Sequence, residues 1–437
     1  MGDVHDFAPN KTISRRQFVS GMAGTGLLVA GSGLFLSGCS DNDDETEFLN
    51  RIASAFPQAE VRSLTVDASR VGSYLDFLSV APESYFLEAR SFDLPLGSLV
   101  FQASDQIACV LTPGPTSRIL TSLAILNLAT GEMTTLLERA LEGAESYCIY
   151  DARASNSVIT WVESNLSTND WILYAASLEN VPTEAGNNGA AATSPIRMGT
   201  PYRLEAGDTV YDPPMLCVYD STVYWTVMPD AFGPAYMDDS YFKAARINRN
   251  GAEASRTLYV SPGRLITNPQ ATSGFVTIVP RVDTNDVRYQ LTALNASTGE
   301  VVAISVLPSG VRVSDCVYMR NNFTFSIEGN YTYAQGLRFF GTYEQFDDNS
   351  LFYADKPPAS PAAFINDCLI IKSTKNVVGF DLFSQASFIL VKPSDCVDYG
   401  DLLAGCGVQN HLVVYTTIVD KGSAENNIVR LRVYNRV

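Results

Sequence analysis

The sequence predicts an all-β chain folded as a seven-bladed β-propeller and closed by an N-terminal strand. Three observations predict it. Beyond about residue 97 the chain reads as short apolar runs separated by turn clusters, with no long stretch of 3.6-residue period. One strand order recurs seven times, its second strands falling at 107–111, 158–162, 223–227, 275–279, 323–327, 369–371 and 412–415. These starts lie about 43 to 65 residues apart, the length of one four-stranded blade.

The clearest unit runs from Met215 to Val260. An apolar strand at 215–219, a turn at Asp220-Ser221-Thr222, a strand at 223–227, a loop, and strands at 241–247 and 257–260 make an antiparallel meander. Two turns between third and fourth strands look alike, Asn127-Leu128-Ala129-Thr130-Gly131-Glu132 and Asn295-Ala296-Ser297-Thr298-Gly299-Glu300, with glycine supplying a positive φ. Asp precedes Cys in recurrent first or second strands, at Asp315-Cys316, Asp367-Cys368 and Asp395-Cys396. The widest gap between units holds the low-complexity insertion 187–190. The last unit lacks a fourth strand after 428–434, and an open edge leaves backbone groups unpaired. The alternating run 84–90 is the nominated closing strand, with 62–66 as the other donor considered. Residues 47–60 read as a short helix, with Phe48, Leu49, Ile52, Ala53 and Phe56 on one face.

Composition narrows the function. At 437 residues and 46% hydrophobic, the chain can bury a large core. A formal charge of −17 disfavours nucleic acid, which needs a basic surface. There are two histidines, and His5 falls in a segment expected to be removed. Chemistry that needs two histidines is thereby excluded from the mature chain. His411 opens a second strand and reads as a strand-edge residue.

The first forty residues read as an address. Ser14-Arg15-Arg16-Gln17-Phe18-Val19 matches the twin-arginine export motif, carried by Arg15, Arg16 and Phe18. The apolar run that follows, 21–36, is too short to span a bilayer, which takes roughly 20 residues. It ends in Leu36-Ser37-Gly38-Cys39, a lipoprotein box whose Cys39 would be diacylated and become the new N-terminus. The acidic run 40–47 reads as a solvated tether. The domain reading is therefore 1–38 signal peptide, 39–60 acidic tether and short helix, and 61–437 propeller. Seven cysteines follow Cys39, an odd number with no C-x-x-C pair. Most sit in apolar strands and read as buried thiols, with a Cys396–Cys406 bridge as the alternative.

The strand order, the Thr-Gly-Glu turns and the Trp or Tyr in second strands resemble the broad TolB-like or quinoprotein-like propeller group. The export signals resemble those of twin-arginine-exported lipoproteins of actinobacterial type, and 7 Lys against 23 Arg suits a GC-rich genome. The resemblance implies export of a folded domain to the outer face of the cell membrane. It brings no active-site motif and no cofactor.

Loops joining second to third strands share a face with those joining blades. That face carries Asp208, Tyr211, Asp212, Asp230, Phe232, Tyr236, Asp238, Asp239, Asp283, Asp286, Tyr331, Tyr333 and Asp420. Of these, Asp212, Asp230, Tyr236, Asp238, Asp239, Asp283 and Tyr331 are the ligand-face candidates. Acids and aromatics together suggest a recognition surface over the ring. A calcium site would need clustered oxygens, but Asp-x-Asp-x-Asp spacing is absent, so no metal is assigned. The expected function is a monomeric, membrane-anchored binding or scaffold propeller for a protein or extracellular polymer. The alternative is a carboxylate-dependent hydrolase or lyase acting on carbohydrate or peptide.

Overall fold

The computed structural model describes residues 42–437 apart from 65–70, 74–76, 115–119, 143–145, 166, 183–194, 209, 284–287, 328–340, 346–350, 355–359, 373–375, 391–401, 421 and 423–426. Seven sheets make the fold, and each is one blade. Blade 1 consists of Leu99–Gln102, Ile107–Pro113, Leu120–Asn127 and Met133–Leu137, paired in chain order. All seven second-strand marks in the sequence fall on second strands: Val158–Asn165, Thr222–Val227, Phe275–Ile278, Asn322–Ile327, Cys368–Lys372 and His411–Ile418 complete the series.

These strands are legible because each blade is sandwiched between two others. Val158–Asn165 is buried at seven consecutive positions rather than at every second one. The core accordingly divides into seven clusters, each shared by two neighbouring blades. Ile125 of blade 1 packs with Trp161 of blade 2, and Leu173 of blade 2 with Trp225 of blade 3. The seventh cluster joins Leu431 and Val433 of blade 7 to Val100 and Val110 of blade 1, so the ring is closed.

Closure comes from the N-terminal side, as the sequence suggested. Helix α1 (Asn42–Ala55) is followed by β1 (Glu60–Ser63), β2 (Val71–Ser73), β3 (Leu78–Ser79) and β4 (Phe86–Pro95). β4 lies antiparallel to Ile428–Arg436 and is the outer strand of blade 7. The nominated closing segment is thus the donor, extended five residues further than the sequence pattern indicated. The segment around Arg62 has another role: β1 adds as a fifth, parallel strand to Val301–Val306 of blade 4. β2 and β3 do the same on blades 5 and 6. Together they strap the outer edges of three blades before β4 closes the fourth.

Helix α1 begins five residues earlier than its apolar pattern. Acidic residues are favourable at a helix N-terminus, so part of the acidic run joins the helix. Ile52 is buried and Phe48, Leu49 and Phe56 pack on the cluster shared by blades 3 and 4, while Ala53 is exposed.

The turn chemistry repeats more widely than the two matching sequences. Asn127 Oδ1 accepts the N–H of Ala129 and Thr130, and Asn295 Oδ1 accepts those of Ser297 and Thr298. Asn248 and Asp381 cap the equivalent turns of blades 3 and 6 in the same way. The two described Asp-Cys pairs fall on a first and a second strand, as the sequence suggested. Asp315-Cys316 opens a first strand, Cys368 opens a second strand, and Asp395-Cys396 lies outside the described residues.

Candidate functional site

Over the ring axis the chain blocks its own channel. After the short first strand of blade 7, Leu402–Leu403, residues 404–409 leave the blade. Gly407–Gln409 then pairs in parallel with Ala363–Ile365, the innermost strand of blade 6. On the way Ala404 O accepts Gln102 N–H at 2.6 Å, and the Cys406 thiol donates to Gln270 Oε1 at 2.9 Å. Gln102 and Gln270 belong to the innermost strands of blades 1 and 4, on different sides of the ring. A segment touching both must cross the centre. Gly407 makes the crossing feasible: its φ is +81°, and a Cβ there would overlap Thr272 of blade 4.

The acidic and aromatic rim predicted from the loops is most developed at blade 3, formed by Leu216–Tyr219, Thr222–Val227, Ser240–Asn248 and Arg256–Ser261. The loop 228–239 is a succession of tight turns. Asp230 Oδ1 accepts Phe232 N–H at 2.8 Å, and Asp230 O accepts Gly233 N–H at 3.1 Å. Asp238 N–H bonds Ala235 O at 2.8 Å. These bonds fix the backbone while Phe232 stays 82% exposed and Tyr236 53% exposed. Met237 is also exposed, and Arg281 Nη1 reaches its Sδ at 3.7 Å.

A second loop, entering blade 3, packs beside the first. Asp212 N–H bonds Met228 O at 3.0 Å and Asp230 N–H bonds Val210 O at 2.8 Å. Arg264, on the loop leaving blade 3, staples both loops. Its Nη2 pairs with Asp212 Oδ2 at 2.7 Å and its Nη1 donates to Pro229 O. Asp212 is buried, and burial raises its carboxyl above the ordinary aspartate value, with the Asp230 charge adding to the rise and Arg264 opposing it.

The structure therefore sorts the candidate residues. Asp230 and Asp212 organise the loops from within. Tyr236, Asp238 and Asp239 are exposed on the rim. Asp283 pairs with Arg51 of α1 at 3.4 Å, which brings the helix to the rim. Tyr331, Asp286 and Tyr333 lie outside the described residues. Asp420 sits on the matching loop of blade 7, where its Oδ1 accepts Gly422 N–H at 2.7 Å. Sequence reasoning missed Arg264 and Arg281. Their signal was available only as rare cations among acidic loops.

Between α1 and blade 3 lies an open groove of about 420 Å³. Ile52, Phe56, Tyr259, Val260 and Val282 line it, with Arg51, Arg281 and Asp283 at its mouth. Phe56 stacks on Tyr259 with ring centres 5.7 Å apart.

No family model matches the chain, and no curated protein matches it. Several solved structures are similar to it. A puromycin hydrolase is 12% identical over 73% of this chain and 50% of its own, with a TM-score of 0.44. A prolyl endopeptidase gives 11% identity, 88% and 53% coverage and a TM-score of 0.47. The β-propeller domain of the Trilobed protease from Pyrococcus furiosus gives 13% identity, 66% and 81% coverage and 0.39. The chain spans about half the length of the first two.

Among the described residues no helix is long and apolar enough to cross a membrane, and no three His, Cys, Asp or Glu side chains converge as a metal site. Five cysteines, Cys109, Cys148, Cys217, Cys316 and Cys368, are buried thiols. Cys406 forms no disulfide among the described residues, while Cys396 lies outside them. Burial raises the thiols of Cys109, Cys217, Cys316, Cys368 and Cys406, Cys109 and Cys406 each to about 12. His411 begins the second strand of blade 7, where its N–H and that of Asn410 are held by Asp105 of blade 1.

Proposed function

We propose that the chain is an exported, lipid-anchored propeller that works as a binding module through the rim of blades 3 and 4. The observation that carries the reading is the exposed trio Phe232, Tyr236 and Met237 on a loop held rigid by its own hydrogen bonds and by Arg264. Large apolar side chains shown to solvent on a fixed backbone are costly to keep without a partner. Because residues 404–409 cross the centre, a ligand engages the rim rather than the channel. The hydrolase alternative has less support: among the described residues the one rim carboxyl with a raised pKa, Asp212, is buried and tied to Arg264.

Anchoring rests on the twin-arginine motif and on Cys39. Cys39→Ala should abolish palmitate labelling, and Arg15→Lys with Arg16→Lys should hold the precursor in the cytoplasm. The binding reading is tested by a photo-crosslinking residue at position 232 in a native-type host. It should capture a macromolecule that the same residue at Met133, exposed on the outer strand of blade 1, does not. Equal capture from both positions, or from neither, refutes the reading.

A further inference from the structure

We propose that the rim of blade 3 docks a cationic polypeptide, which lays lysine or arginine side chains across Phe232 and Tyr236 and seats one apolar side chain in the groove beside α1. This names the partner chemistry of the binding module and rests on that reading.

The charges argue for the sign. Asp208, Asp238 and Asp239 are exposed and make no ion pair among the described residues. Two of the local cations are paired, Arg264 with Asp212 and Arg51 with Asp283, and Arg281 lies against the neutral Met237 sulfur, so the exposed carboxylates outnumber the remaining cation. An incoming cation therefore meets uncompensated carboxylates, and aromatic faces beside them attract the same charge.

The apolar surface argues for a polypeptide. Val210 and Tyr211 of the entering loop are exposed next to the 228–239 loop, through the Tyr211–Pro229 bridge. Tyr241 and Val260, paired across neighbouring strands, are exposed too, and Val260 also lines the groove. The apolar strip thus runs from the loop into a groove of about 420 Å³, at the low end for ligand pockets and enough for one large side chain. Met237 at the centre suits side chains of variable shape. A neutral saccharide would stack on the rings and hydrogen-bond the carboxylates but leave their charge uncompensated. A polypeptide with basic residues around one Leu or Trp answers both features, and the hydrogen-bonded loop needs little ordering to receive it.

The test uses the full chain and fluorescence anisotropy with labelled peptides of about twelve residues. One carries lysines around a single tryptophan, and the second has glutamate in place of lysine. Neutral glucan and chitin oligosaccharides are the competing probes. The lysine peptide should bind, and should weaken about tenfold between low and physiological salt. Asp238→Asn with Asp239→Asn should weaken it severalfold and flatten the salt dependence, while Phe232→Ala should weaken it at every salt concentration. Thermal melts of the variants should match the parent. Equal affinity for the glutamate peptide, or no loss in the variants, overturns the proposal. Saccharide binding that Phe232→Ala removes, without peptide binding, overturns the partner chemistry and leaves the rim as the binding site. Absence of any crosslink from position 232 refutes the rim itself.

Discussion

Glu344→Gln should stabilise the propeller at alkaline pH and do little at acid pH. Glu344 lies on Gly341–Gln345, the third strand of blade 5, and is 2% exposed. Its Oε2 has no hydrogen-bond partner among the described residues, and neither does the hydroxyl of Thr324, its cross-strand neighbour. Burial lifts its carboxyl to about 7 from 4.5, with the Arg320 charge opposing the rise. A carboxyl raised in the folded state binds more protons there than in the unfolded chain. Stability is therefore fully present below about 4.5 and is lost as pH rises towards 7. The whole loss is about 3 kcal/mol at 1.36 kcal/mol per pKa unit. Spread over the unfolding entropy of a domain near 400 residues, that is about 4 °C in melting temperature. Calorimetry of both proteins at about pH 4 and pH 8 decides the matter. The variant should match the parent at the lower pH and melt about 4 °C higher at the upper. A gap that does not change with pH would refute the reasoning, because it would mean the Glu344 carboxylate is solvated or paired in the native ring.

Three further perturbations follow from named contacts. Gly407→Ala sets a Cβ against Thr272 at a left-handed φ, so it should cost about 2 kcal/mol or more and loosen the segment across the channel, read by hydrogen exchange at 404–409. Glu163 is fully buried and accepts N–H from Leu141, Glu142 and the Trp161 indole; Glu163→Ala should cost on the order of 3 kcal/mol in denaturant titration by stranding those donors. Deleting residues 40–80 removes α1 and the strap but spares β4, so it should lower the melting point yet leave a cooperative transition. Deleting residues 40–95 also removes the outer strand of blade 7 and should abolish that transition or cause aggregation.

The parts of the fold that were legible are those whose burial is written locally. Second strands such as Val158–Asn165 are covered on both faces, so their apolar runs stand out without alternation. The closing strand was legible by elimination, as an apolar run left over opposite an open edge. β1 was read only as the alternative closing strand at 62–66, and β2 and β3 not at all, because strands of four, three and two residues bury little and carry no period. The rim was read from loop composition, which found Tyr236, Asp238 and Asp239 but also Asp212, whose partner Arg264 lies 52 positions away. The channel crossing left no local trace at all: Cys406 meets Gln270 across 136 residues, and no pattern in either segment announces it.

The same long-range character bears on how the chain could be exported. β4 pairs with Ile428–Arg436, so the ring cannot close until that distant strand has been made. The proposed route, which accepts folded proteins, would suit such topology, since an unclosed propeller would present the unjoined apolar faces of blades 1 and 7 and an open edge. The thiols are compatible with the proposed route. Cys109, Cys217 and Cys316 are buried between blades, and desolvation raises all three, so almost none of each is thiolate at neutral pH. A domain that closes in a reducing compartment keeps these groups as small hydrophobes, and after closure the packing itself shields them from oxidation outside.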